Sequence, residues 1–447
     1  MKYSVLILLL LLPLTAAAEE LVVSWRCPTT APEVVETSLG QYFRIPGSMN
    51  TGRPGEPSLP VFPITVLLPP GAEVESVAAV SASRNELEGT HDIKPVQHGV
   101  PISRPELFQV TPRDPEAYSR TSGAPLVETV SRGSLLGFNL LNLRVSPVTW
   151  DPSTGRAELC SEIALRISYI CTDTHSTLVS RGQEGSRIAS RVLENTVINP
   201  QDIPNVSPVQ ARDLPWGEYL IVTSDSLAPY FEPLAQFKTM KGIPARIVTM
   251  EYIESNYTGV DAAQKLRFFL RDIYDDNPPT YILLGGDTPL VPHRNCWATA
   301  EGYTGDPAAD IYFQDMNDTT VGNDLWDANN NGTWGEISGD QMDYHPDYFV
   351  GRASVENGAE AILFVNKVLD YEMPSLNDVR DTDPWFTSMG FTTGILWSSP
   401  YCPGSAGKEK VDSLYTPSEW QPVVKHYQSN GSQSYALTME MLNMGMH

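Results

Sequence analysis

Three short apolar runs decide most of what this chain can become. "EYLIVTS" at 218–224, "ARIVTM" at 245–250 and "YILLGGD" at 281–287 are too short for helices. They are β-branched, lack polar alternation and have the pattern of strands buried on both faces. Between them lie two helical patterns. "SLAPYFEPLAQFKTMKG" sets Leu227, Phe231, Leu234 and Phe237 on one stripe and stops at Gly242. "DAAQKLRFFLRDIYDD" starts at a capping Asp261 and turns Leu266, Phe269, Leu270 and Ile273 inward. Strands separated by whole helices must run parallel, so the spacing predicts a parallel sheet with helices on its faces.

The pattern resumes with "DYFVGR" as a strand, "NGAEAILFVNKVLDYE" as a helix, and "FTSMGFTTGIL" and "PVVKHY" as further strands. The C-terminal "SQSYALTMEMLNMGMH" reads as an amphipathic helix through Tyr435, Leu437, Met441 and Leu442, stopping at Gly445. An α/β chain commonly begins a new strand after such a stop, so the expectation is a domain that continues past His447.

Upstream the periodicity changes from helical to alternating. Leu141, Leu143 and Val145 share one face, "DPSTG" makes a turn, and Leu159, Ile163, Leu165, Ile167 and Tyr169 alternate inward. "GRPGEPSLPVFPITVLLPPGAEVESVAAV" mixes prolines with short β-branched runs, which predicts edge strands and turns. Residues 19–172 thus read as an all-β domain of sandwich type. Residues 173–212 are rich in Ser, Pro, Asn and Arg, a linker composition. There Arg181, Arg187, Arg191 and Arg212 offer exposed sites to a trypsin-like enzyme.

Lys2, the run "SVLILLLLL", Pro13 and the small residues 16–18 form a secretory signal, with cleavage before Glu19. No second long apolar stretch follows, so no membrane span is expected. A net charge of −24 repels phosphate backbones and excludes nucleic acid as a natural partner, while favouring cations. The five cysteines are Cys27, Cys160, Cys171, Cys296 and Cys402, an odd number for an exported protein. Cys296 and Cys402 are candidates for a bridge that spacing does not establish.

Four motifs, in order, carry a family resemblance: "YILLGGDTPLVPH", "DPAADIYFQDM", "WDANNNGTWGE" and "HPDYFVGRASVENGAEAILFVNKVLDYE". Together they resemble the gingipain-type cysteine peptidases, and the β-rich region before them resembles that family's propeptide. The resemblance implies an α/β caspase-like catalytic domain from 213 to 447, incomplete at its C-terminus, behind an all-β pro-domain at 19–172 and a maturation segment at 173–212. It implies a secreted endopeptidase zymogen acting on peptides and proteins, with its own propeptide as intramolecular inhibitor. The family's His–Cys dyad is expected beyond His447, leaving residues 1–447 inactive by themselves. The alternative is a non-catalytic exported protein that keeps the fold for surface binding or secretion sorting.

The local substitutes for a dyad are weaker. His293 and Cys296 in "HRNCW" sit where α/β sites gather, but a loop role and a buried or bridged thiol account for them. Cys402 precedes every plausible family histidine. Asp310 in "PAADIYF" matches the family's S1 aspartate, where a carboxylate suits a basic P1 side chain, against a loop-capping role. "DANNNGTWGE" is a cation loop in its own right. Asp327, Asn329 and Asn331 offer side-chain oxygens, Gly332 the turn, Thr333 a carbonyl and Glu336 an acid, an arrangement suited to calcium. Asp315, Asp318, Asp324, Asp340 and Asp343 lie near enough in sequence to complete its shell. The competing reading is a solvated turn. No HExxH, CxxC or GxSxG occurs, and "GSAGKEK" lacks phosphate-loop spacing.

Overall fold

The computed structural model describes residues 18–50, 52–99, 108–120, 125–171, 179–300, 303–316, 324–373, 387–398 and 401–444. The expected signal sequence up to residue 17, Asp318 and Gly445 lie outside the described residues. The chain divides into two units, 1–97 with 111–365, and 98–110 with 366–447.

The first unit opens with ten strands. These are β1 (Glu19–Arg26), β2 (Glu33–Thr37), β3 (Gly40–Arg44), β4 (Met49–Asn50) and β5 (Pro60–Leu67). Then come β6 (Ala72–Glu86), β7 (Val127–Leu135), β8 (Phe138–Val145), β9 (Val148–Trp150) and β10 (Ala157–Cys171). One antiparallel sheet runs β1-β10-β6 with β9 against β10; the other runs β4-β5-β8-β7. The alternation predicted for β8 and β10 holds. Leu141, Leu143, Val145, Leu159, Ile163, Leu165 and Ile167 are buried, in one cluster with Val23, Trp25, Phe62 and Ile64. Each such side chain contributes roughly 1.5–3 kcal/mol by leaving water.

The edge reading of β5 holds for part of its length, since β4 covers only the strand's first two residues and β8 pairs with the rest. Pro63 thus faces no ladder on the β4 side and its missing N–H costs nothing there.

The segment expected to be a plain linker contains α1 (Gln183–Thr196). Gly185, Ala189 and Leu193 recur every fourth residue, a stripe of small side chains that hydropathy alone passes over. Ala189, Leu193 and Val197 cluster with Leu67, Leu135, Leu136, Phe138 and Leu140. Arg181, expected to be exposed, is 2% exposed.

The α/β part carries β11 (Tyr219–Thr223), α2 (Ala228–Met240), β12 (Ala245–Thr249), α3 (Met250–Asn256), α4 (Ala262–Tyr274) and β13 (Tyr281–Gly285). After a long excursion come β18 (Phe349–Ala353) and α5 (Gly358–Glu372). The sheet order is β12-β11-β13-β18, every pair parallel as predicted. Asp261 caps α4 by accepting the Gln264 N–H at 2.9 Å, and Gly242 ends the α2 turn at φ +88°.

The excursion holds four short strands, β14 (Arg294–Asn295), β15 (Ala298–Ala300), β16 (Tyr303–Gly305) and β17 (Ala308–Ala309), paired β14-β17 and β15-β16. Trp326 centres it, 1% exposed and edge-on to Tyr312 and Tyr344. Arg267 of α4 is wholly buried beside it and donates to the Asp315 carbonyl at 2.6 Å.

In the second unit β19 (Met389–Thr393) pairs in parallel with β22 (Val423–Tyr427), and β20 (Ile395–Ser398) pairs with β21 (Tyr401–Pro403). "FTSMGFTTGIL", expected as one strand, is divided at Gly394 into two with different partners. Helices α6 (Ser405–Tyr415) and α7 (Tyr435–Asn443) complete it. The predicted α7 stripe is buried only at Met441; Tyr435 is 83% exposed.

Candidate functional site

The C-terminal ends of β13 and β18 converge on the loop 286–293, and one side chain organises it. Arg352, at the end of β18, donates from Nη1 to the Gly286 and Val291 carbonyls at 2.8 and 2.7 Å. Nη2 reaches the Pro292 carbonyl at 2.9 Å. Its remaining N–H groups meet Asp310: Nε to Oδ2 at 2.7 Å and Nη2 to Oδ1 at 2.8 Å. This is a fork-on-fork pair in a half-buried place, the strong form of the interaction. Asp310 begins a 3-10 turn, Asp310–Phe313, whose Tyr312 and Phe313 are buried and fix the carboxylate's origin. The loop approaches closely at Gly285, where a Cβ would come within 2.8 Å of the Phe231 ring.

His293 leaves the loop with both ring nitrogens engaged, Nδ1 with Thr288 Oγ1 at 3.0 Å and Nε2 with Asn295 Oδ1 at 2.8 Å. Cys296 is buried, its thiol pushed up to about 12 by burial, which is the opposite of an activated nucleophile. All five cysteines are free thiols, so no bridge joins Cys296 to Cys402. A shallow cavity of about 300 Å³ lies between His293–Asn295 and Gly332–Trp334, with Asp306 on its wall.

The Asp/Asn loop is folded on its own backbone. Asp327 Oδ1 accepts the Asn331 N–H at 2.8 Å, and Asn331 Oδ1 accepts that of Thr333 at 2.8 Å. The side-chain amides of Asn329 and Asn331 both donate to Glu336 Oε2. Asn330 and Gly332 take left-handed conformations at φ +56° and +80°. Asp340 Oδ2 accepts the Gly335 and Glu336 N–H groups at 3.0 and 2.9 Å, bracing the loop from outside. Among the described residues no group of three or more His, Cys, Asp or Glu side chains is arranged to hold a metal.

The other acids expected in a cation shell point elsewhere. Asp324 is 7% exposed and accepts from Gln264, the Tyr312 hydroxyl and the Trp334 indole at 2.7–3.1 Å. Asp315 Oδ2 accepts from the Trp326 indole at 2.8 Å and the Asp343 N–H at 3.0 Å. Asp343 turns to the β-rich part.

That contact is a polar seam the sequence did not reveal. Ser134 of β7 donates its N–H to Asp343 Oδ2 at 2.5 Å and its hydroxyl to Asp347 Oδ1 at 3.0 Å. Asp347 Oδ1 also accepts from the Gly137 N–H at 3.1 Å and the Tyr274 hydroxyl at 2.7 Å, and Oδ2 from the Met316 N–H at 3.0 Å. Burial pushes the Asp347 carboxyl up from its ordinary value, against the pull of these donors. Arg181 donates to the Pro279 and Asp347 carbonyls at 2.9 and 2.8 Å. Glu218, just before β11, accepts the Gly185 N–H at 3.1 Å, capping α1 from the α/β side. The one hint in sequence was an acid–aromatic pair, Asp347–Tyr348, opening a strand. Arg212, by contrast, stands clear in a 3-10 turn with its side chain 84% exposed, two residues before the buried Leu214.

Comparison with known proteins gives this architecture a lineage. A sequence model described as Peptidase family C25 matches residues 213–445, more than half of the chain. Lys-gingipain of Porphyromonas gingivalis is 21% identical over 368 residues, which cover 77% of this chain and 18% of the relative. The chain therefore spans less than a fifth of that relative's length. Among solved structures, one of zymogenic latency in gingipain K of Porphyromonas gingivalis is 22% identical, with TM-score 0.29, covering 36% of this chain and 97% of that one. The Arg-specific cysteine proteinase gingipain R is 17% identical, with TM-score 0.33, covering 49% and 43%. Among the described residues no helix is long and apolar enough to cross a membrane. With the family profile running from residue 213 through α7, the chain belongs to peptidase family C25, the gingipain-type cysteine peptidases.

Proposed function

We propose that this chain is the latent front portion of a secreted cysteine endopeptidase, in which residues 19–212 restrain the α/β domain until the chain is cut at Arg212. The observation that carries the reading is the polar seam beside an exposed junction. Ser134, Gly137 and Arg181 hold onto Asp343, Asp347 and Pro279, while Arg212, exposed and paired with its neighbour Asp213, lies on the segment between the two folded parts. The reaction is attack by a thiolate on a peptide carbonyl, with an imidazole holding and then donating the proton. The thiol of Cys296, buried and pushed up to about 12, is not the nucleophile on this reading. The test is limited trypsin cleavage of the protein secreted by its own cells. Peptidase activity rising with the cut at Arg212 supports latency; full activity before any cut overturns it.

Two site assignments belong to the same proposal. Asp310 serves S1, and because Arg352 already fills its fork, an incoming basic P1 side chain shares or displaces that partner. The loop of Asp327, Asn329, Asn331, Thr333 and Glu336 takes calcium. Its two amide groups and Glu336 converge on one point, and rotating those amides would aim oxygens where hydrogen bonds now run.

A further inference from the structure

Most of the seam between the β-rich part and the α/β part is made by groups of fixed charge, but one group in it changes charge near neutral pH. His345 Nδ1 lies 2.7 Å from Asp343 Oδ1, and Asp343 Oδ2 accepts the Ser134 N–H. The β7 backbone presses directly on this pair. A Cβ at Gly133 would fall within 2.6 Å of both Asp343 Oδ1 and His345 Nδ1, so only glycine lets the strand approach. Asn142 of β8 is 3.5 Å from Nε2, too far to commit the ring to one tautomer.

The charge count at this place favours a protonated ring. Facing His345 are the carboxylates of Asp343, Asp347 and Asp315, all on its own side of the seam. From the opposite side β7 and β8 bring Gly133, Ser134 and Asn142, which are neutral, and the segment before α1 brings the Arg181 guanidinium near Asp347. Tyr274 faces Asp347 with its hydroxyl. Without a proton on His345, three buried or half-buried acids have two guanidinium groups near them, Arg181 at Asp347 and Arg267 at Asp315. With it, the ring adds a third cation, and that one stands directly against Asp343.

We propose that the Asp343–His345 pair is a proton-operated docking site for strand β7, closed on Gly133 and Ser134 while the imidazole is charged and loosened when it is not. The hydrogen bond to Asp343 raises the His345 pKa above its ordinary 6.5, outweighing burial. The sign follows: a raised value means the stabilisation is complete below the ordinary pKa and is lost as pH climbs through the raised one. The β-rich part is thus held in neutral to mildly acidic medium and slackens in alkaline medium. Because the grip joins β7, N-terminal to Arg212, to Asp343 and His345, C-terminal to it, a cut there leaves these non-covalent contacts in place, and proton loss supplies a separate second step. The regulatory meaning rests on the latency reading above, but the docking site itself does not.

Amide hydrogen exchange on the intact chain tests it without any peptidase activity, so the two ideas fail separately. After correction for intrinsic rates, protection at Ser134 and Gly137 should fall about tenfold or more between about pH 6 and pH 8.5. Leu141 and Leu143, in the β-rich core, should keep theirs. His345→Gln should show low protection at Ser134 and Gly137 at both pH values. Gly133→Ala should do the same from the opposite side of the contact. Unchanged wild-type protection across the range, or a His345→Gln protein that still shows the fall, overturns the proposal.

Discussion

Two sets of acids share the stretch from 315 to 347, and they behave in opposite ways. Asp315, Asp324 and Asp347 are 1%, 7% and 0% exposed, each receiving donors from distant parts of the chain. Asp327 and Glu336 are half-buried, and the donors shown to their carboxylates come from their own ten-residue loop. Composition gives both sets the same look. What separates them is where the partner comes from: a long-range donor makes an acid part of the framework, whereas a local one leaves it available to an outside cation.

Substitutions can break that contrast, and the deepest acid should cost most. Asp347→Ala strands four donors inside the seam and should lower stability by about 3–5 kcal/mol in urea denaturation. A loss below about 1 kcal/mol would mean the seam is wet and the contrast false. Asp324→Asn keeps the shape but removes a charge shared with Arg267, Tyr312 and Trp334, and should cost about 1–3 kcal/mol by the same measurement. Asp327→Ala should change the melting temperature by little in chelator, yet abolish the upward shift that calcium gives the parent chain. Calcium leaving the parent's melting temperature unmoved would remove the cation from the loop. Arg212→Gln should sit within about 0.5 kcal/mol of the parent, as exposed positions do, while removing the tryptic cut mapped by mass spectrometry at that junction. Persistence of a cut after residue 212 would assign the junction to another enzyme class.

The parallel sheet was legible because its central strands β11 and β13 are buried on both faces and leave unbroken apolar runs, and helices such as α4 announce their caps. The β-rich core was legible for the same reason at period two. Much of the rest escaped. Helix α1 hides because its inner stripe begins with glycine and alanine, and its N-terminus is capped by Glu218, beyond any local motif. Pro63 gave a true edge signal for its own part of β5, but that β4 covers Pro60 and Val61 is a property of pairing that residues 60–67 do not announce. The seam was invisible because each of its polar side chains, taken singly, resembles a surface residue. Asp310 was singled out by motif as a candidate, yet Arg352, which pairs with it, reads in sequence as an unremarked basic residue at a strand's end.

Arg352 spends its whole guanidinium. Nε, Nη1 and Nη2 together make five contacts, to three carbonyls and to both oxygens of Asp310. Lysine has three donors on a tetrahedral head and cannot reproduce that planar array. The two positions are therefore coupled: a change at 310 alone would strand a half-buried cation, and a change at 352 alone would release the loop 286–292 from its sheet.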